Sequence, residues 1–154
     1  MKRIILLFTV VAGFLMSCQT KTTEQTIDSL AASPDSAAAS KQSCYAYIND
    51  KDTVSLSFIT AGNAIAGNLN YNLFEKDSNA GTIAGLIKGD TVIADYTFRS
   101  EGTTSYRQVV FLKKGDQLLE GYGPSEQADG KTKFTSLAKL KFGGSIVLSA
   151  IDCK

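Results

Sequence analysis

Three cysteines, two arginines placed around a serine-bearing turn and a complete absence of histidine define the chemistry open to this chain of 154 residues. Without histidine the commonest general base and metal ligand is gone. The serines therefore have no imidazole to activate them, and no motif marks a Ser-Lys dyad in its place. Asp50 with Asp52, and Glu75 with Asp77, are carboxylate pairs in polar stretches that lack the spacing of a calcium loop. Gly121-Tyr122-Gly123-Pro124 has no strand-to-helix setting that would let it cradle a phosphate, so it reads as a turn. No catalytic residue, metal site or cofactor is expected, and the chain reads as a non-catalytic protein.

The densest polar cluster runs from Asp95 to Arg107 as DYTFRSEGTTSYR. Within it Tyr96, Phe98, Arg99, Ser100, Glu101 and Arg107 are the candidate binding residues. One reading makes Arg99 and Arg107, with Glu101 and Glu120, a surface ion-pair group across neighbouring strands. The other makes the cluster a recognition loop, in which paired arginines grip a carboxylate or an acidic cleft of a partner.

The chain opens with Lys2-Arg3, stays apolar from Ile4 to Met16 and reaches Cys18 through Ser17. A basic patch, a short apolar run and a small residue before a cut have the layout of a signal peptide, and the run is too short to span a membrane. Leu15-Met16-Ser17-Cys18 resembles the lipobox of bacterial prolipoproteins. That resemblance implies cleavage after residue 17, lipidation of Cys18 and membrane attachment through the lipid. Gln19 stands where an aspartate would signal inner-membrane retention, and no acidic run follows to suggest the cell surface. The implied address is the outer membrane, facing the periplasm.

Removing Lys2 and Arg3 with the signal leaves 14 basic against 15 acidic side chains, so a basic nucleic-acid-binding surface is not supported. Residues 18–43 carry the lipidated cysteine and a Ser, Thr, Ala and Gln-rich stretch with Pro34 at its middle, too poor in apolar groups to bury a core. They read as a disordered tether, about 25 to 30 Å end to end as a coil, with a short helix around Ile27 to Ala32 as the alternative. Only residues 44–154 carry a folding domain. Cys44 and Cys153 stand at its two ends, and in an exported protein two such thiols are expected to pair.

Gly62-Asn63, Gly89-Asp90 and Gly115-Asp116 recur 26 to 27 residues apart, each between apolar-patterned runs. Glycine followed by Asn or Asp suits the positive φ of tight hairpin turns. Three hairpins of roughly ten-residue strands follow, with returns over Glu75 to Gly81 and Glu101 to Ser105. Alternation supports them: Val54, Leu56 and Phe58 share a face, as do Leu69, Tyr71 and Leu73, and Val92, Ala94, Tyr96 and Phe98. Cys44 to Asn49 and Ser145 to Cys153 add a first and a last strand. The expected fold is all-β, an antiparallel meander closing into a small, lipocalin-like barrel of about eight strands, with a β-sandwich as the alternative. Gly67, Gly85, Gly121 and Gly123 would let the strands bend. Residues from Pro124 to Gly144 break the rhythm and read as a long loop, with a helical turn near Ser136 to Leu140, that caps a barrel end.

Tyr96-Thr97-Phe98-Arg99-Ser100-Glu101-Gly102-Thr103-Thr104-Ser105 resembles the loop of the membrane-bound c-type lysozyme inhibitors, which are themselves lipoproteins with a small barrel. The resemblance covers ten residues and implies a lysozyme partner, with Ser100 in its cleft and Arg107 near a catalytic carboxylate. Arg99 stands where that family has tryptophan, and Ser105 where it has alanine. A small apolar ligand inside the barrel, against Leu69, Tyr71, Tyr96 and Phe98, is the other expected partner.

Overall fold

The computed structural model describes residues 40–154 apart from Asp77. The signal segment, Cys18, most of the tether and Asp77 of the Glu75–Asp77 pair lie outside the described residues.

The described residues form ten strands in one sheet: β1 Lys41–Asn49, β2 Asp52–Ala61, β3 Ala64–Asn72, β4 Asn79–Lys88, β5 Thr91–Ser100, β6 Thr103–Lys114, β7 Gln117–Tyr122, β8 Ser125–Ala128, β9 Lys131–Phe134 and β10 Lys141–Ile151. β1 to β7 are neighbours in sequence order, β10 pairs with β7, and β1 pairs with β10 to close an antiparallel barrel of eight strands. A sandwich is thereby set aside. The three Gly-Asn and Gly-Asp dipeptides each turn a hairpin, and Gly62, Gly89 and Gly115 have the positive φ such turns demand.

The alternation seen in the sequence becomes an inside and an outside. Val54, Leu56, Phe58, Leu69, Tyr71, Val92, Ala94 and Tyr96 join Val109, Phe111, Leu118 and Leu148 in one buried cluster. Gly67 and Gly81 lie on the same inward side, opposite Phe58 and Phe98. A Cβ on Gly67 would run into the Ser57 carbonyl, and one on Gly81 into that of Thr97. Only glycine lets the strands coil this tightly while two phenylalanine rings fold over them.

The closing seam between β1 and β10 has three paired residues, Cys44 to Ala46 against Ser149 to Ile151. The Cys44–Cys153 disulfide staples it, bridging 109 positions of sequence.

Several boundaries differ from the sequence reading. β1 begins at Lys41 and β10 at Lys141, both earlier than expected. The return after β5 is the two-residue turn Glu101-Gly102, both at positive φ, and Thr103 to Ser105 belong to β6. The stretch from Pro124 onward is not a long loop. It folds into the β8–β9 hairpin through Asp129-Gly130, followed by a 3-10 turn at Leu137–Lys139. The hairpin does not cap a barrel end either: β9 lies parallel to β6 at Arg107 and Thr132, and Lys131 reaches Asp95 on the outer side of β5.

Candidate functional site

The candidate binding residues divide by strand parity. Tyr96 and Arg107 are opposite one another on β5 and β6, and Phe98 faces Ser105 two pairs further on, all inward. Arg99 alternates outward and is exposed, so the two arginines lie on opposite sides of the wall and form no pair. Ser100 ends β5, facing Thr103 across the turn, and Glu101 is exposed at its tip. Among the described residues the ion pairs are Lys131–Asp95 at 2.6 Å and Lys133–Asp129 at 3.6 Å, so the expected arginine ion-pair group does not form.

Arg107 instead enters the barrel. Its guanidinium carbon lies 5.0 Å from the ring centre of Tyr71, 5.4 Å from Tyr96 and 5.5 Å from Phe98, within cation–π range of all three. The rings pack on one another: Tyr96 stacks on Phe98 at 4.7 Å and meets Tyr71 at 6.1 Å in a tilted pair. Glu120, inward on β7, accepts a 2.7 Å hydrogen bond from the Tyr71 hydroxyl. Tyr96 Oη and Arg107 Nε are buried and have no hydrogen-bond partner among the described residues.

Burial dominates the electrostatics here. It raises the Glu120 carboxyl above its ordinary range, against the opposing pull of the Tyr71 hydrogen bond and the Arg107 charge. It pushes the Tyr96 phenol up to about 12, with Arg107 opposing and Glu120 reinforcing. Tyr71 rises further, through burial first and then the charge of Glu120. Both phenols stay protonated at neutral pH and are available as hydrogen-bonding groups.

The wall is open beside this cluster for a structural reason. β6 and β7 pair only from Phe111 and Glu120 to the turn, and beyond that point β9 takes the edge of β6. A cleft of about 240 Å³ lies between them, lined by Arg107, Val109, Glu120 and Gly121 of the barrel and by Thr132 and Phe134 of the hairpin. On the other side of β7, β10 shifts register between Phe142 and Val147, leaving a second space of about 170 Å³ against Glu120 and Ile146. Glu120 borders both. The barrel middle is filled by its own side chains, with Leu56, Leu69, Ile83, Phe111 and Leu148 fully buried. A third space of about 230 Å³ lies at the end of the barrel holding the three glycine turns, against Tyr45, Phe58, Val92 and Leu118, with Lys41 and Lys113 at its rim.

By its strand pattern alone Tyr71 reads as an apolar inner residue, and Glu120 reads as a surface charge. Parity was the signal that could have joined them: Val109 and Phe111 place Arg107 inward, and Leu118 places Glu120 inward. Among the described residues no group of three His, Cys, Asp or Glu could hold a metal ion. Comparisons with protein families, with curated proteins and with solved structures gave no match for this chain.

Proposed function

We propose that this chain is an exported lipoprotein, held by an acylated Cys18 at the outer membrane facing the periplasm, whose lipocalin-like barrel is a non-catalytic binding module. The observation that carries the binding half is the Arg107–Glu120–Tyr71 cluster beside an open wall cleft. A cation and a carboxylate inside a small barrel cost solvation free energy that apolar residues would not. Stability alone gives no reason for them; recognition does. The address rests on the lipobox resemblance at Leu15 to Cys18.

Both halves are testable on protein extracted from membranes. Intact mass should show an acylated chain beginning at Cys18, and Cys18→Ser should move the protein to the soluble fraction. An unmodified N-terminus on membrane-extracted protein would end the anchored reading. Native mass spectrometry of the extracted chain should find a small molecule retained by the wild type and lost from Glu120→Gln. Retention by both would move the binding site elsewhere in the barrel.

Inhibition of a c-type lysozyme is a second reading, favoured by the exposed tip that Arg99, Glu101 and Gly102 make at the end of the β5–β6 hairpin. Adding the chain to a lysozyme assay tests it. Undiminished lysis at micromolar protein removes it.

A further inference from the structure

Glu120 and Arg107 carry opposite charges into one walled space without forming a direct ion pair. Each is held by its surroundings and each keeps hydrogen-bonding capacity to spare. Arg107 is steadied by the three rings around its guanidinium, while its buried Nε–H meets no protein acceptor among the described residues. Glu120 spends one oxygen on the Tyr71 hydroxyl, its hydrogen-bond partner among the described side chains. The Tyr96 hydroxyl is likewise buried and without a partner among the described residues, but it is not on the lining of the cleft.

We propose that this cleft takes a small zwitterion, the chemical class of a free α-amino acid, with its carboxylate on Arg107 and its ammonium on Glu120. The proposal rests on the binding-module reading and narrows it to a ligand class. A guanidinium edge matches a carboxylate in a bidentate fork, and a carboxylate is the natural partner of an ammonium. A simple anion would satisfy Arg107 yet meet the charge of Glu120, and a simple amine would meet that of Arg107. Lys133, also on the lining, has Asp129 as its partner at 3.6 Å, so a ligand carrying both charges is the one that satisfies Arg107 and Glu120 without adding net charge to a half-buried site. Size agrees, because about 240 Å³ falls below the roughly 300–1,000 Å³ of drug-sized pockets. The remaining lining is mixed, with Val109, Gly121 and Phe134 beside Gln108, Ser125, Thr132 and Lys133, which leaves room for a small side chain without demanding an apolar one.

The test is a titration of the acylated full chain in detergent with glycine, L-alanine and L-leucine, set beside acetate, propionate and ethylamine. It is read by calorimetry and by the NMR signal of the Arg107 Nε–H. Saturable binding of at least one amino acid should shift that signal, and the single-charge probes should bind at least about tenfold more weakly, the loss of one charge-assisted hydrogen bond. Glu120→Gln and Arg107→Gln should each weaken the amino acid by a similar factor. If Arg107→Gln disturbs the barrel's circular dichroism, Arg107→Lys replaces it, keeping the charge and losing the fork. Acetate or ethylamine binding as tightly as the amino acids would overturn the zwitterion and leave a binding module. A probe that perturbs only the Tyr45 and Phe58 end would do the same. Silence from every probe, with no retained molecule in native mass spectra, would overturn both.

Discussion

Tyr71 and Glu120 show how a barrel can hold a carboxylate inside. The phenol donates its one proton to the carboxylate and carries an aromatic ring to Arg107, so a single side chain serves both charges. Tyr71→Phe keeps the ring and removes the donor. It should cost about 1–3 kcal/mol in urea unfolding, the loss of a part-buried hydrogen bond to a carboxylate. Combined with Glu120→Gln, the two changes should be non-additive because they act on one contact. The pH dependence has a definite sign. Burial raises the folded-state pKa of Glu120, so between its ordinary value of 4.5 and that raised value the folded chain binds more protons than the unfolded one. Its contribution to stability is therefore fully present below the ordinary value and declines as pH rises through the folded one. Glu120→Gln has no such proton to lose. Its melting temperature should gain on the wild type from acid toward neutral pH, and a constant difference across that range would contradict the assignment.

At the scale of elements, the strands depend on glycine for two separate reasons. Gly81 sits where a Cβ would strike the backbone of β5, whereas Gly62 has open space around it and needs glycine only for its positive φ. Gly81→Ala should thus act as overpacking, about 1–3 kcal/mol or more, and disturb the Phe98 and Tyr96 ring signals. Gly62→Ala should cost about 1–2 kcal/mol of backbone strain and leave those signals alone. The β8–β9 hairpin is the most lightly held element on the cleft. Its ties include the Lys131–Asp95 pair, one parallel bridge at Thr132, and the Phe134 N–H donating to Gln108 Oε1 at 3.3 Å. Lys131→Met should speed amide hydrogen exchange across residues 125–134 and leave β2 to β5 unchanged, and high salt should reproduce part of the effect in the wild type.

For the whole molecule, the weak point is the three-pair seam where β1 meets β10, and the disulfide lies across it. Joining the ends of a domain restricts the unfolded chain most, by about 4–5 kcal/mol for a loop of this length in the chain-entropy treatment. Cys44→Ser with Cys153→Ser should therefore lower unfolding stability by about 2–5 kcal/mol. The denaturant slope should rise, since the remaining seven strand pairings bury the same core while the unlinked unfolded chain exposes more surface. Exchange in the double variant should rise first at Cys44 to Ala46 and their partners.

Period-two alternation and turn chemistry are local, and they were enough to read the all-β class, the three glycine hairpins and the inward residues from Val54 to Phe98 out of the sequence alone. The cysteine positions pointed to closure because a bond between the chain's two ends has a direct topological consequence. Where the polar residues end up was not local in this sense. Arg107 looked like a partner of Arg99 until register put them on opposite sides of the wall, and Glu120 looked like surface charge until β7 turned it inward beneath Tyr71. Likewise the Pro124 to Gly144 stretch lacks strong alternation because its two strands are four residues each and pack against a wall. Only the tertiary structure decided that a carboxylate, a guanidinium and two phenols share one space, because they come from four strands whose meeting depends on the stagger of the closed barrel.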